Sequence, residues 1–318
     1  MFPNFLPTTV AQLTEPSSIA LAQSIQTQAI ATPLINQLIT TSYVHQGSGG
    51  TPILLIHGFD SSVLEFRRLL PLLAQENETW AVDLLGFGFT DRLAEIQFSP
   101  LAIKTHLYYF WKNLIKEPVI LVGASMGGAA AIDFTITYPE AVKKLVLIDS
   151  AGLRGGSPLV KLMFPPLDAW ATGFLRSLKV RDRVARAAYK NVALASVDAL
   201  YCAALHLEMS NWSQALIGFT KSGGYSAFRF KKLAEIQQQT LILWGDHDKI
   251  LGTEDAKRFK RAISHSQLIW IADCGHVPHL EQPQATAQHI LKFGREENHT
   301  HFSGSGDRVS IADNGGIV

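Results

Sequence analysis

The chain has 318 residues, 47% of them hydrophobic, enough to bury a large core in one α/β domain with an insertion or in two small domains. Lysine and arginine (28) balance aspartate and glutamate (27), and a net charge of +1 leaves no basic excess to neutralise nucleic-acid phosphates. Two cysteines, Cys202 and Cys274, make no disulfide framework and suit a reducing compartment.

No lysine or arginine precedes Arg67, so neither a secretory signal nor an Arg-rich transit peptide is expected, and no apolar stretch reaches membrane-span length. The expectation is a soluble cytoplasmic protein. Residues 1–39 form an N-terminal extension in which Ile19, Ala22, Ile25, Ala29 and Ile30 fall at helical spacing, predicting an amphipathic helix over 16–31 packed on the domain. The core opens at residue 40 with a strand over 40–45 and a Gly/Ser turn over 46–50. Pro52-Ile53-Leu54-Leu55-Ile56 then reads as a central parallel strand ending at His57-Gly58. Ser62-x-x-Glu65 is a capping box. Trp80–Leu84 is a second strand, followed by the glycine loop Gly86-Phe87-Gly88 and a helix over 100–116. Pro118–Val122 and Lys144–Asp149 are two more strands with a helix between them. Strands alternating with helices predict an α/β fold with a mostly parallel, doubly wound sheet. That rhythm stops near Gly152 and returns at Thr240–Trp244 and Gln267–Ile271. The core is therefore 40–152 plus 237–294, and 153–236 is an inserted helical cap. Residues 295–318 are polar, Gly- and Ser-rich, and are expected to be a disordered tail.

The chemistry concentrates at Gly123-Ala124-Ser125-Met126-Gly127, a G-x-S-x-G phrase between an apolar strand and a small-residue helix. A serine there sits on a sharp turn with its hydroxyl exposed, the nucleophile elbow of a serine hydrolase. A hydroxyl needs a base to take its proton, and the base needs a carboxylate to orient it. In an open parallel sheet both should follow the carboxyl ends of later strands. His276, after the Gln267–Ile271 run and Gly275, is the candidate base. Asp248, after the Thr240–Trp244 run, is the candidate acid, with Asp246 and Asp149 as competitors. His279 is expected to be structural. His276-x-x-His279 lacks a third ligand with metal-type spacing, so no metal is expected. The oxyanion of a tetrahedral intermediate would be held by the backbone N–H groups of Met126 and Phe59. Gly86 and Gly88 lack the third glycine and following helix of a dinucleotide fingerprint, so no cofactor is expected.

Taken together, His57-Gly58-Phe59, Asp83-Leu-Leu-Gly86-Phe-Gly88, Gly123-Ala-Ser125-Met-Gly127-Gly128, Trp244-Gly245-Asp-His-Asp248 and Gly275-His276-Val-Pro-His279-Leu-Glu281 resemble the α/β-hydrolase fold of the cap-bearing, abhydrolase type, over about residues 40–294. In that family the acid is the last residue of the W-G-x-x-D phrase, which implies Asp248. Relatives such as haloalkane dehalogenases and epoxide hydrolases use an aspartate nucleophile, which Ser125 excludes, whereas carbon–carbon bond hydrolases keep the serine, and a receptor-type hydrolase that binds its ligand and turns over slowly is the other alternative. Residues 57–67 and 78–83 further resemble the chlorophyll dephytylase branch of photosynthetic organisms. That resemblance implies cleavage of the phytyl ester of a chlorophyll-type pigment and a place at the thylakoid surface. The plastid-targeting segment of plant members is missing, which implies a cyanobacterium-like source.

The cap opens with an apolar run, and Met163, Phe164, Trp170 and Phe174, together with His57 in the core, are the candidate pocket residues for a lipophilic ester. Gly152, Gly155 and Gly156 are a candidate hinge. Arg176, Lys179, Arg181, Arg183, Arg186 and Lys190 form either a solvated face or a contact with an anionic membrane surface.

Overall fold

The computed structural model describes residues 1–154, 167–225 and 227–296, except the side chains of 167–171. The predicted tail over 295–318 falls almost entirely outside the described residues, as do Gly155, Gly156, Met163 and Phe164.

Among the described residues, eight strands form one sheet in the order β1-β2-β4-β3-β5-β6-β7-β8. They are β1 (Gln26–Thr32), β2 (Ile35–Gln46), β3 (Ile53–Ile56), β4 (Thr79–Val82), β5 (Val119–Ala124), β6 (Val142–Ile148), β7 (Thr240–Gly245) and β8 (Ser266–Ile271). β1 and β2 pair antiparallel, β2 joins β4 antiparallel, and β3 to β8 run parallel with β4. The central strands are continuous apolar runs because both their faces are covered: Ile53, Leu54, Leu55 and Ile56 are all fully buried. Helices α1 (Pro16–Gln23), α2 (Leu70–Leu73), α3 (Pro100–Phe110) and α4 (Met126–Thr137) precede β6 or directly cross over between strands. Between β6 and β7 lie α5 (Leu167–Arg176), α6 (Leu178–Ala188), α7 (Val197–Cys202), α8 (Trp212–Lys221) and α9 (Phe230–Leu233), and no strand occurs among the described residues there. The chain closes with α10 (Glu254–Ala262), α11 (Pro278–Glu281) and α12 (Pro283–Arg295). Among the described residues no helix is long and apolar enough to cross a membrane.

Two sequence expectations need correction. The helix predicted over 16–31 ends at Gln23, and Gln26–Thr32 is the edge strand, so the sheet begins well before residue 40. Only Ile30 of that strand faces the core, against its register partner Ile39, so no alternation was there to read. Ser62 does cap a 3-10 turn, accepting from Leu64 N–H at 3.4 Å, but Glu65 does not reach back to complete a capping box. Its carboxylate accepts from Gly58 N–H at 2.9 Å instead.

Candidate active site

Ser125 links β5 to α4 in a left-handed conformation, φ 51° and ψ −119°. The strain is held by neighbours on all sides. Ser125 N–H donates to Ile148 O at 2.9 Å, and its own carbonyl accepts from Gly128 and Ala151 N–H at 3.0 and 2.9 Å. The elbow also needs backbone to approach backbone. A Cβ on Gly123 would lie 2.3 Å from the Gly127 carbonyl oxygen, and one on Gly127 would lie 2.2 Å from the Ile56 carbonyl oxygen. Any side chain at either position would push α4 off the sheet.

The strand ends bring the distant partners to this turn. His276 Nε2 lies 3.0 Å from Ser125 Oγ, and His276 Nδ1 lies 2.9 Å from Asp248 Oδ2. The other Asp248 oxygen accepts from Ile250 and Leu251 N–H at 2.7 and 3.0 Å, which fixes the carboxylate in the β7 loop. Burial pushes the Asp248 carboxyl up, but the hydrogen bond and charge of His276 outweigh it, and the net shift is downward, toward the ionised form. Asp246 is engaged elsewhere, with its own neighbour His247 and with Cys274 N–H at 3.1 Å, so it shapes the turn.

Asp149, the other competitor, stands directly behind the pair. It is fully buried at the end of β6 with φ 40°, and it accepts from Gly245 N–H at 3.1 Å. Burial, then the charge of Asp248, raises its pKa well above the carboxylate range, and its side chain is within hydrogen-bonding reach of Asp248. As the neutral acid it can donate to the Asp248 carboxylate. Asp149, Asp248 and His276 place donor atoms within 4.8 Å of one another, a spacing a metal could use, yet each residue already makes hydrogen bonds that suit a proton-sharing chain.

The loop after β3 forms the opposite wall. A Cβ on Gly58 would meet the Ser125 Cβ at 3.4 Å, so this loop lies against Ser125. No acceptor within the described residues engages the N–H of Phe59 or of Met126, which opens α4. Two polar side chains that the sequence did not mark as part of the site shape this loop. Glu65 accepts from Gly58 N–H and lies 3.1 Å from His279 Nε2. Burial pushes its carboxyl up, but His279 and then His57 hold it down at about 2. Asp60, at φ 49°, receives the Trp212 indole N–H at 2.8 Å and lies 3.0 Å from His206 Nε2; it also pairs with Arg181. All three partners come from the helical insertion. The sequence shows only an acid directly after the candidate oxyanion residue Phe59, and its partners lie more than 100 residues away.

A pocket of about 350 Å³ contains Ser125 and His276 and is walled mainly by apolar groups, among them Leu175, Val180, Val184, Ala199, Ile250 and Val277. The predicted pocket residues fare differently. Phe174 is 64% exposed and His57 is fully buried, and neither lines this pocket. His57 instead pins the loop, its Nδ1–H donating to Gly58 O at 2.8 Å and its Nε2 accepting from Leu84 N–H at 3.1 Å. Trp170 lies in α5, its side chain outside the described residues. The basic cluster of α5 and α6 is also not one face: Arg181 turns inward to Asp60 and Lys190 pairs with Asp273, while Arg176, Lys179 and Arg183 are exposed.

Several proteins similar to this chain are named as hydrolases. The chain is 34% identical over 299 residues to the Arabidopsis thaliana alpha/beta hydrolase domain-containing protein VTE7, covering 92% of this chain and 89% of that one. It is 29% identical to 2-hydroxy-6-oxo-2,4-heptadienoate hydrolase of Pseudomonas putida, covering 79% and 91% of the two chains. A thermophilic esterase from Thermogutta terrifontis superposes with a TM-score of 0.72 over 84% of this chain and 97% of that one, at 23% identity, a likeness of fold. Residues 53–289 match the sequence model of the alpha/beta hydrolase family, and the chain belongs to that family.

Proposed function

We propose that this protein is a serine carboxylic-ester hydrolase acting on a lipophilic ester, with the phytyl ester of a chlorophyll-type pigment as the leading candidate. The observation that carries the reading is the unbroken line from Ser125 Oγ through His276 to Asp248, at 3.0 and 2.9 Å, opening into an apolar pocket.

His276 takes the Ser125 proton as Oγ attacks the ester carbonyl carbon. The carbonyl oxygen gains the negative charge and is held by the Phe59 and Met126 N–H groups. The tetrahedral intermediate collapses as His276 returns the proton to the leaving alcohol, and an acyl-Ser125 remains. Water then attacks the acyl carbon, giving its proton to His276, which passes it to Ser125 Oγ as the acyl–oxygen bond breaks and the free acid leaves. Asp248 keeps Nδ1 protonated and balances the imidazolium. The insertion acts as a cap, and Leu175, Val180 and Val184 of its described helices line the pocket. Its exposed Phe174, Leu178 and Val184 interleave with Arg176, Lys179 and Arg183, which supports peripheral contact with an anionic membrane surface. Co-sedimentation with anionic vesicles tests that contact, and equal binding to neutral vesicles would contradict it.

The 29% relative named as a heptadienoate hydrolase favours a second reading, carbon–carbon bond cleavage of a ring-cleavage diketone by the same serine. Incubation with chlorophyll, with p-nitrophenyl esters of graded chain length and with such a diketone, followed by product identification, separates the two. Release of phytol or p-nitrophenol alone supports the ester reading, and cleavage of the diketone alone overturns it.

A further inference from the structure

Arg67 lies in the wall of the Ser125 pocket and is 2% exposed. Its Nη1–H donates to Leu64 O at 3.3 Å. Its Nε and Nη2, both buried, meet no well-aligned hydrogen-bond acceptor among the described residues. Buried donors almost always find acceptors, because an unsatisfied one costs about 1–3 kcal/mol and more when it carries charge. The guanidinium is permanently protonated, so its charge cannot be shed.

The acids near it are already committed. Glu15 is held by both Nη2 and Nε of Arg68, at 2.8 to 3.3 Å. Asp198 accepts from Thr14 N–H at 2.5 Å, Glu15 N–H at 2.8 Å and the Ser18 hydroxyl at 2.5 Å. Both act on Arg67 through charge alone. The carboxylates of the pocket wall are also engaged, Glu65 with Gly58 and His279, Asp60 with Arg181, His206 and Trp212. The Tyr189 hydroxyl stands within hydrogen-bonding reach of the guanidinium and the Cys202 thiol lies nearby, but burial pushes both upward, toward their neutral forms, so neither supplies a counter-charge.

The two donors without an aligned acceptor are not arbitrary. Nε–H and the adjacent Nη2–H form one edge of the planar guanidinium and point the same way, the fork that receives the two oxygens of a carboxylate. We propose that Arg67 is a carboxylate-binding subsite in the pocket of Ser125, so that the ester processed there carries a free carboxylate away from its scissile group. The inference rests on the ester-hydrolase reading and narrows its substrate class to lipophilic esters with an anionic end, favouring these over chlorophyll itself, whose other carboxyl is a methyl ester and offers no free carboxylate. The apolar wall between takes the hydrocarbon body.

The test pairs two esters of equal chain length, p-nitrophenyl octanoate and the mono-p-nitrophenyl ester of suberate. The kcat/KM of the suberate ester is expected to exceed that of the octanoate ester by about tenfold or more, as a hydrogen-bonded charge pair allows. In Arg67→Met that preference disappears, and in Arg67→Lys, a point charge without the fork, it survives in part. A ratio at or below one in the wild type, or a ratio unchanged in Arg67→Met, overturns the subsite. A second measurement needs neither turnover nor a folded variant. Calorimetric titration of the wild-type protein at neutral pH is expected to show tighter binding of octanoate than of octanamide, and equal affinities overturn the proposal. If neither ester is cleaved while octanoate is still preferred, the ester-hydrolase reading falls and the subsite stands.

Discussion

The Trp212 indole N–H, on a helix of the insertion, donates at 2.8 Å to the carboxylate of Asp60, the residue that follows Phe59 in the loop facing Ser125. One buried acid thus ties the helical insertion to the oxyanion loop, and it does so with three partners, since Arg181 and His206 converge on it too. Burial raises the Asp60 carboxyl, but His206 and Arg181 outweigh burial and hold it well below the usual carboxylate range. Replacing it by asparagine keeps the shape, removes the charge and leaves one acceptor oxygen for three donors. Asp60→Asn is expected to destabilise the protein by about 3 kcal/mol, the scale of a broken buried ion pair. Denaturant unfolding checks this, and a loss under about 1 kcal/mol, the range of an exposed pair, would show the clasp to be loose.

Asp248→Asn tests the orientation of His276. Asparagine can offer its amide N–H toward Nδ1, which selects the wrong imidazole tautomer. The expected result is a fall in kcat of about 10⁴-fold with little change in KM, as in other serine–histidine–acid systems. Asp246→Asn, by contrast, should leave kcat within a few-fold. If the two variants exchange phenotypes, the acid has been misassigned.

Asp149 gives the clearest pH signature. Its folded-state pKa is raised above the unfolded value by burial and by Asp248. The folded protein therefore holds a proton that the unfolded chain releases. The sign follows: this group's contribution is fully present below the unfolded carboxyl pKa and declines as pH rises through the window up to the folded pKa. Asp149→Asn can still accept from Gly245 N–H and donate to Asp248, with no proton to lose. Its melting temperature, relative to wild type, should rise with pH from about 4 to neutrality. A constant difference across that range would mean that Asp149 titrates normally.

How much of this could be read from the residues alone follows from where each partner lies. Ser125, Asp248 and His276 each follow an apolar run with turn residues attached, so strand ends could be located and the order serine, acid, histidine recognised. The geometry then joins residues 28 and 151 positions apart. The insertion was legible as helical because its rhythm lacks strands. Asp60, Glu65 and Arg67 were not, because their roles depend on how the loop after β3 folds against the insertion. Ser62-x-x-Glu65 shows the limit well: the spacing signals a capping box, but Gly58 N–H offers the carboxylate a partner across the loop, and that contact wins. The edge strand was hidden for another reason, since six of its seven residues avoid full burial and leave no periodic signature.

Glu65 is a positioning residue in this account, acting on the oxyanion loop through Gly58. Glu65→Ala is expected to lower kcat by about 10–100-fold, somewhat less than loss of an oxyanion donor outright, while KM changes little. Glu65→Gln, which keeps one acceptor for Gly58 N–H, should recover part of the loss. A rise in KM at unchanged kcat would instead place Glu65 among the residues that bind substrate.

The most direct test of the central claim is labelling with a fluorophosphonate, read by intact mass and by ester turnover, on wild type and Ser125→Ala. The account predicts a single phosphonyl adduct on Ser125 in the wild type, and neither adduct nor turnover in the variant. Undiminished ester hydrolysis by Ser125→Ala, or an adduct on another residue with Ser125 unmodified, would contradict it.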